Sequence, residues 1–238
     1  MPYIGQAPAP KVVTSSDLAD DVVTADKIGD TAISGFSALG ATPADTDEFL
    51  VSDAGTLKRM DYSYIKGGAT HTLLSTNTVS SGVSDVTISS NIDSTYKNYM
   101  FDIINLHPAT DNTTFRMQFV QSGSVTTSSI YDYAFHRVQS DNSDSYDYTF
   151  DDPQISMLVN LGNANDEAVS GRVFLHEPSN TTFNTHSAYY FTYCNNADKL
   201  VHTNGGGRIE SATAVTGVKF FMSSGNIDSA IIKLYGIT

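Results

Sequence analysis

Apolar and polar residues alternate with a period of two through much of the chain beyond residue 80. Residues 114–121 are the cleanest case: Phe115, Met117 and Phe119 fall on one side, Thr114, Arg116 and Gln118 on the other, as in a half-buried antiparallel strand. Residues 99–106 are apolar on both sides, with Tyr99, Phe101 and Ile103 opposed to Met100, Ile104 and Leu106, which predicts a central strand. Segments 83–88, 130–138, 154–161, 169–176, 188–194 and 208–215 add further short strands between turn clusters. Residues 216–238 predict two more buried strands joined as a hairpin through Ser223-Ser224-Gly225-Asn226, where Gly and Asn tolerate positive φ. No helical-period segment competes. The pattern predicts an all-β fold: a C-terminal antiparallel β-sandwich, jelly-roll-like, over 69–238, with Phe220, Ile232 and Leu234 buried.

The first 68 residues are organised differently. Pro2, Gly5, Pro8 and Pro10 prevent a persistent helix or central strand, so 1–15 predict an extended arm. Its apolar pair, Tyr3 and Ile4, reads either as a docking element or as part of a frayed terminus. A short repeat follows, in which 18–24 (LADDVVT) aligns with 28–34 (IGDTAIS). Each copy is too small to form its own core, so Leu18, Val22, Ile28 and Ile33 would have to pack on other copies or a partner. Residues 45–66 predict a small hairpin turning at Asp53-Ala54-Gly55, and Gly67-Gly68 marks a boundary. The organisation is thus an arm (1–15), a linker or stalk with a hairpin (16–68) and the sandwich (69–238).

Charge narrows the partners. Lys and Arg total 13 against 26 Asp and Glu, a net charge of −13 that repels phosphate backbones and anionic headgroups, so no nucleic-acid ligand is expected. Cys194 is the single cysteine, which excludes an intramolecular disulfide and a thiolate-rich zinc site. The N-terminus lacks a signal-peptide pattern, and no apolar run reaches the roughly 20 residues of a membrane span, so neither secretion nor membrane insertion is expected.

Motifs for chemistry fail one by one. His176-Glu177-Pro178 lacks the second histidine of a zinc protease helix, and Pro178 opposes that helix. Gly205-Gly206-Gly207 lacks the Lys-Ser/Thr of a phosphate loop and predicts a hairpin loop. Cys194 ends an aromatic strand as an inert thiol. No catalytic residue, metal site or cofactor is expected. The unusual stretch is 140–152, SDNSDSYDYTFDD, which predicts an acidic loop carrying aromatics. It reads as a solvated turn, as a sugar-stacking surface, or as a Ca²⁺ loop that lacks the required central glycine. The candidate contact residues for a glycan are Tyr146, Tyr148, Asp144 and Asp147, with Tyr131 and Tyr133. Tyr131, Tyr133 and Phe135 have a rival place lining the core.

The arm Met1-Pro2-Tyr3-Ile4-Gly5, the repeat LADDVVTADKIGDTAIS, the segment ADTDEFLVSDAGTLKRMDYSYIKGG and the ending GVKFFMSSGNIDSAIIKLYGIT resemble tailed-bacteriophage virion proteins, tail-fibre-like proteins of marine phages in particular. The resemblance implies a non-enzymatic structural protein of the virion. Its N-terminal arm, with Pro2, Tyr3, Ile4 and Gly5, would attach to other virion proteins. A homotrimer would pack the stalk residues Leu18, Val22, Ile28 and Ile33, and the distal β-domain would contact a host-surface glycan. Some 50 residues between arm and domain bound the stalk at roughly 165 Å if fully extended, at about 3.3 Å per residue, which keeps the appendage short. A capsid decoration protein or head fibre is the alternative, and a polysaccharide-degrading tailspike the third reading.

Overall fold

The computed structural model describes residues 12–19, 34–66 and 70–238. The chain divides into two compact units, Met1–Gly67 and Gly68–Thr238. The arm residues Pro2, Tyr3, Ile4 and Gly5, and Val22, Ile28 and Ile33 of the repeat, lie outside the described residues. Leu18 lies within them and is exposed.

Among its described residues the first unit contains a hairpin, β1 (Glu48–Asp53) and β2 (Thr56–Asp61), followed by a single helical turn, α1 (Tyr62–Ile65). Ala54 and Gly55 both take positive φ, +49° and +88°, the requirement of the two-residue turn whose twist matches antiparallel strands. Among the described residues the hairpin and the turn after it enclose no core: Leu50 and Leu57 on the strands and Tyr64 on α1 are all more than two-thirds exposed.

The second unit is a sandwich of two antiparallel sheets. Its strands are β3 (His71–Val79), β4 (Asp85–Ile88), β5 (Asn98–Pro108), β6 (Thr113–Gln121), β7 (Ser124–Val125), β8 (Tyr131–Gln139) and β9 (Asp144–Asp152). They continue as β10 (Ile155–Leu161), β11 (Val169–His176), β12 (His186–Cys194), β13 (Leu200–Ile209), β14 (Val215–Met222) and β15 (Ile227–Ile237). Eight strands pair in the order β3-β15-β5-β11-β12-β13-β8-β9; the other sheet runs β10-β6-β14-β4, with β7 on β6. Two packed antiparallel sheets are what the alternation predicts, and the uneven division is a feature of the pairing.

The inner faces meet through aromatic rings. Phe115 of β6 stacks on Phe220 of β14 at 5.8 Å and meets Phe191 of β12 edge to face at 5.8 Å, which ties the two sheets together. Buried tyrosines send their polar ends across the same gap: Tyr189 donates to the Ser156 carbonyl at 3.2 Å and Tyr193 to that of Val159 at 2.8 Å. A buried hydroxyl needs such a partner, and here the partners lie on β10 of the opposite sheet. Phe220, Ile232 and Leu234 are fully buried, as their pattern predicts.

Four local expectations are corrected. The last two strands do not form a hairpin: β14 pairs with β4 and β6, β15 with β3 and β5, so the turn at 223–226 carries the chain from one sheet to the other. Two adjacent apolar strands give the same pattern either way; open edges in both sheets decide the outcome. The triple glycine is no loop but the middle of β13, which replaces the strand expected at 208–215. A Cβ on Gly205 would lie 2.4 Å from that of Phe135, and one on Gly207 2.8 Å from Ile155 Cδ1, so glycine permits close packing there. Residues 144–152, expected within a loop, form the edge strand β9. Finally, Asn105 takes φ +46° at a bulge, which returns Leu106 to the core face already used by Tyr99, Phe101 and Ile103.

Candidate aromatic binding face

Among the described residues of the second unit, the eight-stranded sheet turns one face to the core and has no second layer on the other. Register places Met100, Phe174, Ala188, Gly206, Ala134 and Tyr148 opposite one another from β5 to β9, a lateral row without a charge. The neighbouring row runs Asp102, Arg172, Tyr190, Asn204, His136 and Tyr146. Within it Arg172 donates to Asp102 at 3.2 Å, an interaction that raises the guanidinium's already high pKa. Burial alternation and register put all six histidines of the chain on this outward side, with His176 directly opposite His186.

The aromatic end of the face is built by β8, β9 and β13. Period-two geometry points Tyr146 and Tyr148 to the same side, and a register shift between Tyr131 and Tyr133 accommodates Phe150 and Asp151 beyond them. The three rings are 70%, 72% and 71% exposed. Tyr146 is held by stacking on His136 at 4.5 Å and 18°, and His136 also faces Asp144 at 3.6 Å. Behind the rings lies a low floor of Ala134 and Gly206.

Two troughs result. The larger, about 460 Å³, is bounded by Tyr148 and Phe150 on one side and by His186 and Arg208 on the other. The smaller, about 340 Å³, lies between Tyr146, Tyr148, His136 and Asn204; Ala134 and Tyr148 belong to both. At the end of the larger trough Arg208 Nη2 lies 2.7 Å from Asp132 and also donates to Glu210. Asp132, Asp151 and Glu210 each place a carboxylate oxygen within 4.8 Å of the others, the set nearest to metal-ligand geometry among the described residues. Arg208 bridges two of the three, so the cluster is an ion-paired network whose positive partner is a side chain.

The structure separates the residues expected to act together. Tyr146, Tyr148 and Asp144 share the open face. Asp147 points to the other side of β9, 3.5 Å from Arg137. Tyr131 is buried, accepting from the Phe119 amide and donating to the Thr126 carbonyl, both at 2.9 Å; burial pushes its phenol up to about 12. Tyr133 is half-buried, stacked on Phe135 and packed against the core, so the core alternative describes both residues. Asp141 is in the turn before β9, where its carboxylate accepts from Ser143 and is held below the usual range by that hydrogen bond. Burial pushes the half-buried Cys194 thiol up, away from the nucleophilic thiolate.

Sequence reasoning missed Phe150, Arg208, His186 and the Ala134–Gly206 floor. Phe150 continues the alternation of Tyr146 and Tyr148 and was readable once 144–152 was taken as a strand. The floor carries no such signal, since small residues identify a trough only after register is known. No helix among the described residues is long and apolar enough to cross a membrane. No protein-family model, curated protein or solved structure matches the chain.

Proposed function

We propose that this chain is a non-enzymatic structural protein of a phage virion, a short tail-fibre-like appendage whose β-sandwich makes the contact with the host surface. The observation that carries the contact role is the uncovered aromatic end of the eight-stranded sheet. Tyr146, Tyr148 and Phe150 keep their rings in solvent on an edge strand, where a side chain free of binding duty is more often polar. The virion assignment itself rests on the sequence resemblance. Exposed Leu50 and Leu57 on the first unit's hairpin, with Tyr64 on the helical turn after it, fit a segment that is covered in an assembly, as a homotrimer and a virion partner would do.

A polysaccharide-degrading role is the weaker reading. Glycoside hydrolysis by the common route needs one carboxyl group free to donate a proton and another free to attack or activate water. Of the three carboxylates clustered at the end of the trough, Asp132 and Glu210 are both engaged by Arg208, which leaves Asp151 without a second free carboxyl beside it. Incubation with host surface glycan followed by a reducing-end assay tests this, with no new ends expected.

The deciding experiment is immunogold labelling of purified particles with antibody against residues 70–238. Label at the tail is expected. Label on the head would transfer the same chain to capsid decoration, and absence from particles would overturn the virion role.

A further inference from the structure

We propose that the two troughs flanking Tyr148 form one binding site for a neutral oligosaccharide at least two pyranose rings long. This deepens the host-contact reading and rests on it for biological use, while the chemistry follows from the groove.

Successive outward rings on an antiparallel strand are about 6.8 Å apart. That is the scale of one sugar ring with its linkage, so Tyr146, Tyr148 and Phe150 divide the edge into two ring-sized compartments. A pyranose has apolar C–H faces and a rim of hydroxyls; its faces pack on aromatic rings and its rim requires hydrogen-bond partners. The troughs provide these in that arrangement. Ala134 and Gly206 keep the floor low enough for a flat ring to lie against the sheet. Unlike its neighbours in sequence, Gly206 is not required by the core: a Cβ there would meet only the Ser187 carbonyl oxygen, at 3.0 Å.

The polar rim is at Asp132 and Arg208, with His186 beside Arg208 on the side of the trough opposite Tyr148 and Phe150. Arg208 and Asp132 hold a donor and an acceptor side by side, which suits adjacent hydroxyls of one sugar. Charge selects among sugars. Arg208 is already compensated by Asp132 and Glu210, and the whole chain carries −13, so a uronic-acid or sulfated glycan finds no unpaired cation here. A neutral saccharide has no such penalty.

The test is calorimetric titration of the full chain with maltotriose, cellotriose and chitotriose, with trigalacturonate and a proline-rich peptide as competing chemistries. At least one neutral trisaccharide is expected to bind. Tyr148→Ala, which removes the wall shared by both troughs, should weaken that binding by about tenfold or more, and Gly206→Val, which raises the floor, should do likewise. Lys219→Ala on the other sheet should leave it unchanged. If Gly206→Val fails to fold, Tyr148→Ala decides alone, because its ring is outside the core. Binding of none of the neutral trisaccharides, binding only of trigalacturonate or the peptide, or binding indifferent to Tyr148→Ala would overturn the proposal. A chain present on particles that binds no trisaccharide would lose the groove and keep its virion role, and one absent from particles that binds would do the reverse.

Discussion

Phe101 of β5 and Phe220 of β14 meet edge to face across the sandwich, ring centroids 5.1 Å apart at 77°, and both are fully buried. Phe220 also stacks on Phe115, so one ring joins three strands of two sheets. Phe220→Ala should therefore cost about 3–5 kcal/mol, read as a lower urea midpoint with little change in slope. Tyr148→Ala, measured alongside, should change stability by no more than about 0.5 kcal/mol.

The triple glycine offers an internal comparison. Gly205 faces the core, with Phe135 Cβ 2.4 Å from where its own Cβ would stand, whereas Gly206 faces the trough. Gly205→Ala should destabilise by about 1–3 kcal/mol through overpacking, and Gly206→Ala by less than about 1 kcal/mol. Equal losses in thermal melts would show that both glycines serve the backbone and not the two faces.

Gly225 turns the chain from one sheet to the other at φ +70°, and a Cβ there would lie 2.0 Å from Thr110 Oγ1. Gly225→Ala should lower stability by more than about 1 kcal/mol, since strain and clash act together. The companion variant Thr110→Ala/Gly225→Ala removes the hydroxyl and should recover part of the loss in the same denaturation experiment.

Alkaline pH should unfold the protein through its tyrosines. Burial raises Tyr131 to about 12 and pushes Tyr189 and Tyr193 up as well. A phenol raised in the folded state contributes stability that is fully present below its unfolded value near 10 and is lost as pH climbs through the folded value. For Tyr131 that window runs from about 10 to about 12. Tyrosinate absorbance should rise in two phases, the later one coinciding with loss of β-sheet circular dichroism. A Tyr131→Phe variant should narrow the later phase.

Truncation tests the placement of β15. It lies between β3 and β5, so removing residues 230–238 would strip both of their shared partner. Such a chain should not give a soluble, cooperatively melting protein.

Alternation made most of the sandwich legible. Phe115, Met117 and Phe119 are all fully buried, as their spacing predicts, because one face of a strand must be apolar to pack on the other sheet. What escaped were features set by distant partners. Nothing local tells Asn105 to bulge, or β14 and β15 to part; both follow from how other strands register beside them. Gly205-Gly206-Gly207 imitates a loop because the reason for each glycine lies on strands far away in sequence. At the candidate site, Tyr146 and Tyr148 were legible as aromatics among acids, but treating 140–152 as a loop concealed that Asp147 points to the opposite face.

The central position of β15 also has a consequence in time. Its register joins Ile237 to His71, 237 − 71 = 166 residues apart in sequence, and among the described residues β3 has no other strand partner. Closing so large a loop precedes any reward from pairing, so the rate of folding should be set by this late insertion. Until it happens, β3 and β5 both present open edges, and two half-folded molecules can satisfy each other's edges as readily as one molecule satisfies its own. Refolding yield should therefore fall as protein concentration rises, even where the finished sandwich is stable.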